Sequence, residues 1–286
     1  MSSAVRVEAP RSVTVFVREL AKIPAFVRRD LMVTLSYRGA FVMDVLNLAT
    51  QAVMFSFIGK MVDPATLPTY GGSRASYMEF VAIGMVLSLV IALLLQRVAM
   101  AVRQEQMIGT FESLLATPTA TTTVQVGSAA FDLLFVPVRA AIFLIIIALG
   151  FGLHLDPDGV LPALAVMLAF VPFIWGLGLL SAAVMLTFRR GGSSVVIGAT
   201  ILGLLSGAYF PLDLLPGWLQ AVASVNPVAI AIDGVREALL SGDGWASLQP
   251  DVLLLVPMAA VSLTAGVVAF RLGLAREHRN GTLGLY

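Results

Sequence analysis

The chain contains no cysteine and only two histidines in 286 residues. Without cysteine it has neither disulfides nor thiolate metal sites, and nothing ties it to an oxidising or a reducing compartment. Lysine is almost as scarce, and a phosphate-binding loop requires Gly-Lys followed by Ser or Thr. Lys22 follows Ala21, and Gly59-Lys60 runs into Met61, so no such loop exists. His154 stands at the end of an apolar run and His278 in the tail, which disfavours a histidine-based metal site within one chain. No Gly-x-Ser-x-Gly elbow is present, and no other nucleophile, base or metal constellation stands out. Charge is sparse as well: 12% of residues are charged against 58% hydrophobic, with a mean hydropathy of +0.93. That balance excludes an ordinary soluble domain and assigns the chain to the integral membrane proteins. Residues 1–38 are broken up by Arg6, Arg11, Arg18, Lys22, Arg28 and Arg29, so no continuous apolar core of a cleavable signal peptide is expected.

Long apolar runs are what the chain does have. At about 20 residues per crossing they supply six spans, predicted at Gly39–Gly59, Met78–Val102, Val124–Leu153, Leu161–Phe188, Ser193–Pro211 and Val252–Leu272. The expected fold is an all-α integral membrane protein: one six-span domain over 39–272, preceded by a segment over 1–38 and followed by a tail over 273–286. Val13, Phe16, Val17, Leu20 and Ile23 recur at helical spacing, with Arg18, Glu19 and Lys22 on other faces. This predicts an N-terminal amphipathic helix on the membrane surface, kinked or ended by Pro24. Between the fifth and sixth spans, residues 212–251 contain Asn226-Pro227, which reads as an N-cap and first helical residue, and Ser241-Gly242, which reads as a helix end. A helix over Val228–Leu240 is too short to cross the roughly 30 Å of hydrocarbon, so a re-entrant or interfacial position is predicted. Pro211, Pro216 and Gly217 break off another short piece, where Trp218 suits a headgroup-level anchor.

Arginine distribution orients the layout. With the N-terminus inside, the inner segments hold Arg6 through Arg38, Arg97, Arg103, Arg189, Arg190, Arg271, Arg276 and Arg279, whereas the outer ones hold Lys60, Arg74 and Arg236. Both termini are therefore expected in the cytoplasm and the protein in the plasma membrane. A seventh span would place Arg271, Arg276 and Arg279 outside.

One polar insert separates the second and third spans. Over 103–123, RQEQMIGTFESLLATPTATTT, Glu105 and Glu112 lie seven residues apart on one side of a helix beside Leu114 and Leu115. Gly109 interrupts that helix, and Thr117-Pro118 stops it. An ordinary solvated loop is the alternative. The pattern Glu105, Gly109-Thr110, Glu112, Leu114-Leu115, Thr117-Pro118 resembles the cytoplasmic coupling segment of ABC-2 type transporter permeases. The string Gly207, Phe210-Pro211, Leu215-Pro216, Trp218, Asn226-Pro227 and Arg236 resembles the same family, which places an extracellular re-entrant helical hairpin before its last span.

The resemblance implies a permease subunit without catalytic residues or cofactors of its own. ATP and Mg would be bound by a separate ABC ATPase present in two copies, and the chain would pair with a second permease subunit, identical or related, in the lipid bilayer. No nucleic-acid partner is expected. Gln104 to Leu115 would receive the ATPase's push and tilt the first, second and fifth spans. Glu105 and Glu112 would present charge to the ATPase, Gly109 would permit close contact, and Thr117-Pro118 would fix where the docking helix meets the third span. An N-terminal connecting helix packed near the coupling segment is also implied.

Polar residues at membrane depth are the other candidates, because burying them is costly. Asp44, Asn47 and Gln51 form a stripe on the first span, facing a partner helix or a water-filled path. Asp44 stands within about a turn and a half of the span's end and reads as structural. Asp132 and Arg139 share a face of the third span; they pair with groups on other helices, Arg139 snorkels, or, as the minority reading, they serve a substrate. Asp233 and Arg236, one turn apart, read as a local ion pair. Ala199, Gly203 and Gly207 make a small-residue ridge on the fifth span, suited to intrachain packing, a dimer seam or a substrate path. The ridge carries almost no aromatic surface before Tyr209 and Phe210, which favours an apolar or amphipathic cargo, drug-like or lipid-like, over a polysaccharide or lipid-linked glycan. A secondary transporter driven by an ion gradient is the alternative class, for which inverted repeats with paired broken helices are expected and none is seen.

Overall fold

The apolar runs become helices because a backbone in lipid has to satisfy its polar groups within the segment. A computed structural model describes residues 23–63, 67–70, 72–108, 121–187, 192–241 and 245–280. Helix α1 spans Ile23–Ser36, α2 Arg38–Gly59, α3 Tyr77–Ile108, α4 Thr121–Phe151, α5 Val160–Thr187, α6 Gly192–Leu204, α7 Gly217–Ala223, α8 Pro227–Ser241 and α9 Trp245–Asn280. Among the described residues four helices are long and apolar enough to cross a membrane, with candidate stretches at Arg38–Gly59, Tyr77–Leu95, Pro157–Met185 and Leu248–Gly273. Counting the bent pair α7–α8, whose axes meet at 78°, gives up to five.

Several expected boundaries shift. Helical structure continues past Pro24 to Ser36, because proline in a first turn lacks only a donor that a helix start leaves unpaired anyway. The rest of the predicted surface helix, Val13 to Leu20, lies outside the described residues. Ser76 and Glu79 form a capping box at the start of α3: Glu79 N donates to Ser76 Oγ at 3.2 Å, and Ser76 N donates to Glu79 Oε2 at 2.8 Å. At its other end α3 runs on through Gln104 and Glu105 to Ile108, since polar residues with good helix propensity do not stop a helix. The fifth predicted span is cut short at Leu204, leaving α6 with 13 residues. The all-α expectation also meets one exception, a small antiparallel hairpin pairing Thr69 with Arg74 and Tyr70 with Ser73.

Helix α5 is the centre of the bundle, packed by α9, α3 and α8, while α1 lies along α4. Lipid provides no hydrophobic drive between helices, so close backbone approach and hydrogen bonds do the holding. At the α5–α9 crossing, a Cβ on Gly176 would overlap the backbone of Ser262 and Leu263, and one on Gly266 would overlap the Gly176 carbonyl. Ser262 Oγ donates to the Phe173 carbonyl at 3.0 Å across the same contact. Helix α2 is attached differently: 11% of its apolar window is buried, against 61% for those of α3 and α5. Most of its surface therefore faces outward from this chain.

Candidate functional site

The polar chemistry collects at the end of the bundle that carries the bent pair α7–α8. Helix α8 begins as its sequence predicts, with Asn226 Oδ1 accepting from Val228 N at 3.0 Å and Pro227 in the first turn. The same side chain closes the end of α6, because Asn226 Nδ2 donates to the carbonyls of Leu202 at 3.2 Å and Leu205 at 2.9 Å. One amide thus serves two helix ends of opposite polarity, the C-terminal end of α6 and the N-terminal end of α8. Pro211 precedes a short 3-10 turn at Leu212–Leu214, and Pro216 precedes α7, whose Trp218 is exposed.

Arg236, in the middle of α8, is fully buried. Its Nη1 donates to Asp233 Oδ1 at 3.0 Å, so the local pair expected from the sequence exists. That pair is the smaller part of the arrangement. Nη2 donates to the carbonyls of Gly207 at 2.9 Å and Ala208 at 3.0 Å, and Nε donates to the Phe80 carbonyl at 3.0 Å. The guanidinium carbon sits 3.6 Å from the Phe80 ring centroid, a close cation–π contact. A desolvated arginine is tolerable only when its donors are met, and here the planar fork reaches three separate elements at once. Tyr70 of the β-hairpin joins the cluster in hydrogen-bonding contact with Arg236. Burial pushes the Tyr70 phenol up to about 12, outweighing the opposing pull of Arg236, so it stays a neutral hydroxyl at physiological pH.

Two glycines make this geometry possible. Gly207 has φ +67°, the left-handed conformation that turns the chain after α6 and aims its carbonyl at Arg236. Gly84 on α3 lies against Ala208 so closely that a Cβ would overlap the Ala208 carbonyl. Tyr77 Oη donates to the Tyr209 carbonyl at 3.1 Å, and Phe55 of α2 stacks on Tyr209 with centroids 5.3 Å apart.

The predicted small-residue ridge is corrected by this turn. Gly207 lies beyond the end of α6, so it does not share a helical face with Ala199 and Gly203. Nothing stands within 4 Å of a Cβ at Gly203, which lines a cavity of ≈ 60 Å³ together with Ser88, Leu95, Ile174, Leu202 and Val228.

The stripe on α2 divides in two. Asn47 and Gln51 bond to each other on the exposed side, Gln51 Nε2 donating to Asn47 Oδ1 at 2.7 Å. Asp44 turns toward α4 and forms an ion pair with Arg139, whose guanidinium also lies 5.7 Å from the Phe41 ring and 5.5 Å from the Phe143 ring. As between pairing and snorkelling, Arg139 pairs. Each residue stood out in the sequence as a charge in an apolar run, but the match between them appears only once α2 and α4 are side by side. Gln104 and Glu105 lie on the last turns of α3, and nothing is described of their side chains. Gly109, Thr110, Glu112, Leu114, Leu115, Thr117 and Pro118 lie outside the described residues.

Four long apolar helices, an ion pair between α2 and α4, and a bent helix pair joined to the bundle by a buried arginine fit a multi-pass helical membrane protein; among the described residues no acidic, histidine or cysteine cluster could hold a metal. The chain belongs to the ABC-2 type transporter family, whose model matches residues 22–240. It is similar to the ABC transporter G family member 20 of Dictyostelium discoideum, 26% identical over 184 residues that make up 64% of this chain and 25% of that protein. The chain therefore spans about a quarter of the length of that curated relative. Family membership makes it a membrane transport component.

Proposed function

We propose that this chain is the permease subunit of an ATP-driven exporter that moves an apolar or amphipathic substrate out of the cytoplasm. Six crossings complete the layout, α4 and α6 with its following turn supplying the two beyond the four fully apolar spans. Both termini lie in the cytoplasm, and the α7–α8 hairpin lies on the extracellular side, as the arginine distribution favours. ATP and Mg are assigned to a pair of ABC ATPase subunits, a reading supported by the family and not by any motif within these 286 residues. A second permease, identical or related, covers the outward side of α2. Support for that pairing is the hydrogen-bonded Asn47–Gln51 pair on an exposed face at membrane depth, which is costly against hydrocarbon and accommodated at a protein seam or a hydrated path.

The observation that carries the reading is the continuity of α3. Its predicted apolar run ends at Val102, yet the helix runs on to Ile108, adding about 9 Å beyond the membrane-compatible part. It leads directly into the segment 109–118 and carries Gln104 and Glu105 along the way. A push on that segment by an ATPase is thus applied to a rod whose other end sits at the hairpin. Glu105 and Glu112 present the charge that the ATPase recognises. Glu112→Lys is expected to leave the protein in the membrane while lowering ATP-dependent efflux of a lipophilic dye by about tenfold or more, because reversing a docking charge sets like against like. Inside-out vesicles holding both subunits provide the measurement, and native efflux by this variant contradicts the docking role.

A further inference from the structure

We infer that Arg236 is the pin through which α3 and the α7–α8 hairpin move as one body, a positioning residue for transport. The inference rests on the exporter reading for what drives the motion, and on the geometry alone for the pin. Arg236 belongs to α8, yet its three carbonyl contacts are to Phe80 on α3 and to Gly207 and Ala208 in the turn after α6. Its guanidinium carbon lies 3.6 Å from the Phe80 ring centroid as well. These are directional bonds from a rigid fork inside a fully buried site, so sliding α8 along α3 would strand several of them together.

Independent packing reinforces the same junction. Gly84, one turn along α3 from Phe80, admits the Ala208 backbone into direct contact with the helix. Asn226 holds the start of α8 to the end of α6. Against this, α6 beyond its tethered end is loosely held: a Cβ at Gly198 or Gly203 would meet nothing, and the ≈ 60 Å³ cavity lies beside Gly203. Helix α2 is largely unburied in the chain. The rod, the hairpin and the 207–208 turn therefore form one unit, while the body of α6 and α2, which is largely unburied and touches the unit at the Phe55–Tyr209 stack, are the parts with more freedom to shift against it. Displacement applied at the Gln104–Glu105 end of α3 is carried by the pin to the hairpin rather than lost in a helix sliding beneath it.

The natural absence of cysteine makes the test direct. Spin labels at A92C on α3 and A221C on α7 report the pinned junction, and labels at M54C on α2 and A221C report motion across it. All three sites are exposed. Distances are measured in nanodiscs containing the full chain with its ATPase, nucleotide-free and vanadate-trapped. The expected result is a 92–221 distance that is narrow and the same in both states, with a 54–221 distance that changes. R236M is expected to broaden the 92–221 distribution already without nucleotide. R236K, which keeps the charge but cannot reach all the acceptors at once, is expected to fall between, and G84L is expected to loosen the junction without touching the charge. A 92–221 distance that shifts with nucleotide in the native protein, or is unaffected by both R236M and G84L, overturns the pin. Should R236M fail to reach the membrane, R236K carries the comparison, and a distribution identical to native overturns the pin equally. If neither pair responds to nucleotide while the Arg236 variants still broaden 92–221, the pin stands and the ATP-driven reading falls.

Discussion

Gly176→Leu is expected to be among the most damaging single substitutions in the bundle. The α5–α9 crossing has no room for any side chain there, because the Ser262 backbone occupies the space where a Cβ would go and the Gly176 carbonyl lies under Gly266. The crossing cannot open slightly to relieve the overlap without breaking the Ser262-to-Phe173 hydrogen bond at 3.0 Å and pulling apart the packing around Ile174 and Leu179. Overpacking a tight interior site costs about 1–3 kcal/mol, and a clash with backbone falls at the upper end because no rotamer change relieves it. On a total stability of roughly 5–15 kcal/mol, that loss lowers the melting temperature on the order of 10 °C. Thermal unfolding of the detergent-solubilised protein checks it. Gly198→Leu is the control, since a Cβ there meets nothing within 4 Å.

The second large effect concerns Asp44 and Arg139, and its signature is non-additivity. The two groups pair between α2 and α4, with Arg139 set beside the Phe41 and Phe143 rings, which themselves stack 5.5 Å apart. Removing either partner leaves the other charged group at membrane depth. Asp44→Leu or Arg139→Leu is expected to destabilise by about 2–4 kcal/mol each, somewhat below a fully buried pair because both side chains retain some exposure. Replacing both removes the charge and the need for a partner together, so the double variant is expected to recover most of the loss. A double-mutant cycle on thermal stability measures the coupling, and effects that simply add would show that the pair does not hold α2 to α4.

These features differ in how far the linear sequence discloses them, for physical reasons. Helix α2 matches the predicted run Gly39–Gly59 to within a residue, and α5 begins one residue before the predicted Leu161, because apolar length is the signal that a membrane imposes. Asn226-Pro227 marks the start of α8 correctly, since capping chemistry is local. The stop of α6 is not visible in the same way. Leu205 to Phe210 continues the apolar character of the run, and the helix ends instead through the left-handed turn at Gly207 and the amide of Asn226 arriving from a distant segment. The continuation of α3 is hidden for the converse reason, as polarity marks the edge of the lipid and not the end of a helix. The β-hairpin was signalled by the Gly71-Gly72 pair after Thr69-Tyr70, a short cue that the surrounding apolar runs outweigh. Arg236 is the clearest case of partial legibility. Its partner Asp233 is one turn away and visible, whereas Phe80, Gly207 and Ala208 are contributed by other elements and define what the residue does.

The account turns on segment 103–123 being the cytoplasmic surface on which a separate ATPase acts. In a chain with no other cysteine, E112C gives a single reactive thiol, and a membrane-impermeant maleimide reports which side of the bilayer it faces and whether a partner covers it. Labelling in inside-out vesicles, absence of labelling in intact cells, and protection when the ATPase is bound are the results expected. Labelling from the cell exterior, or equal labelling with and without the ATPase, would contradict it.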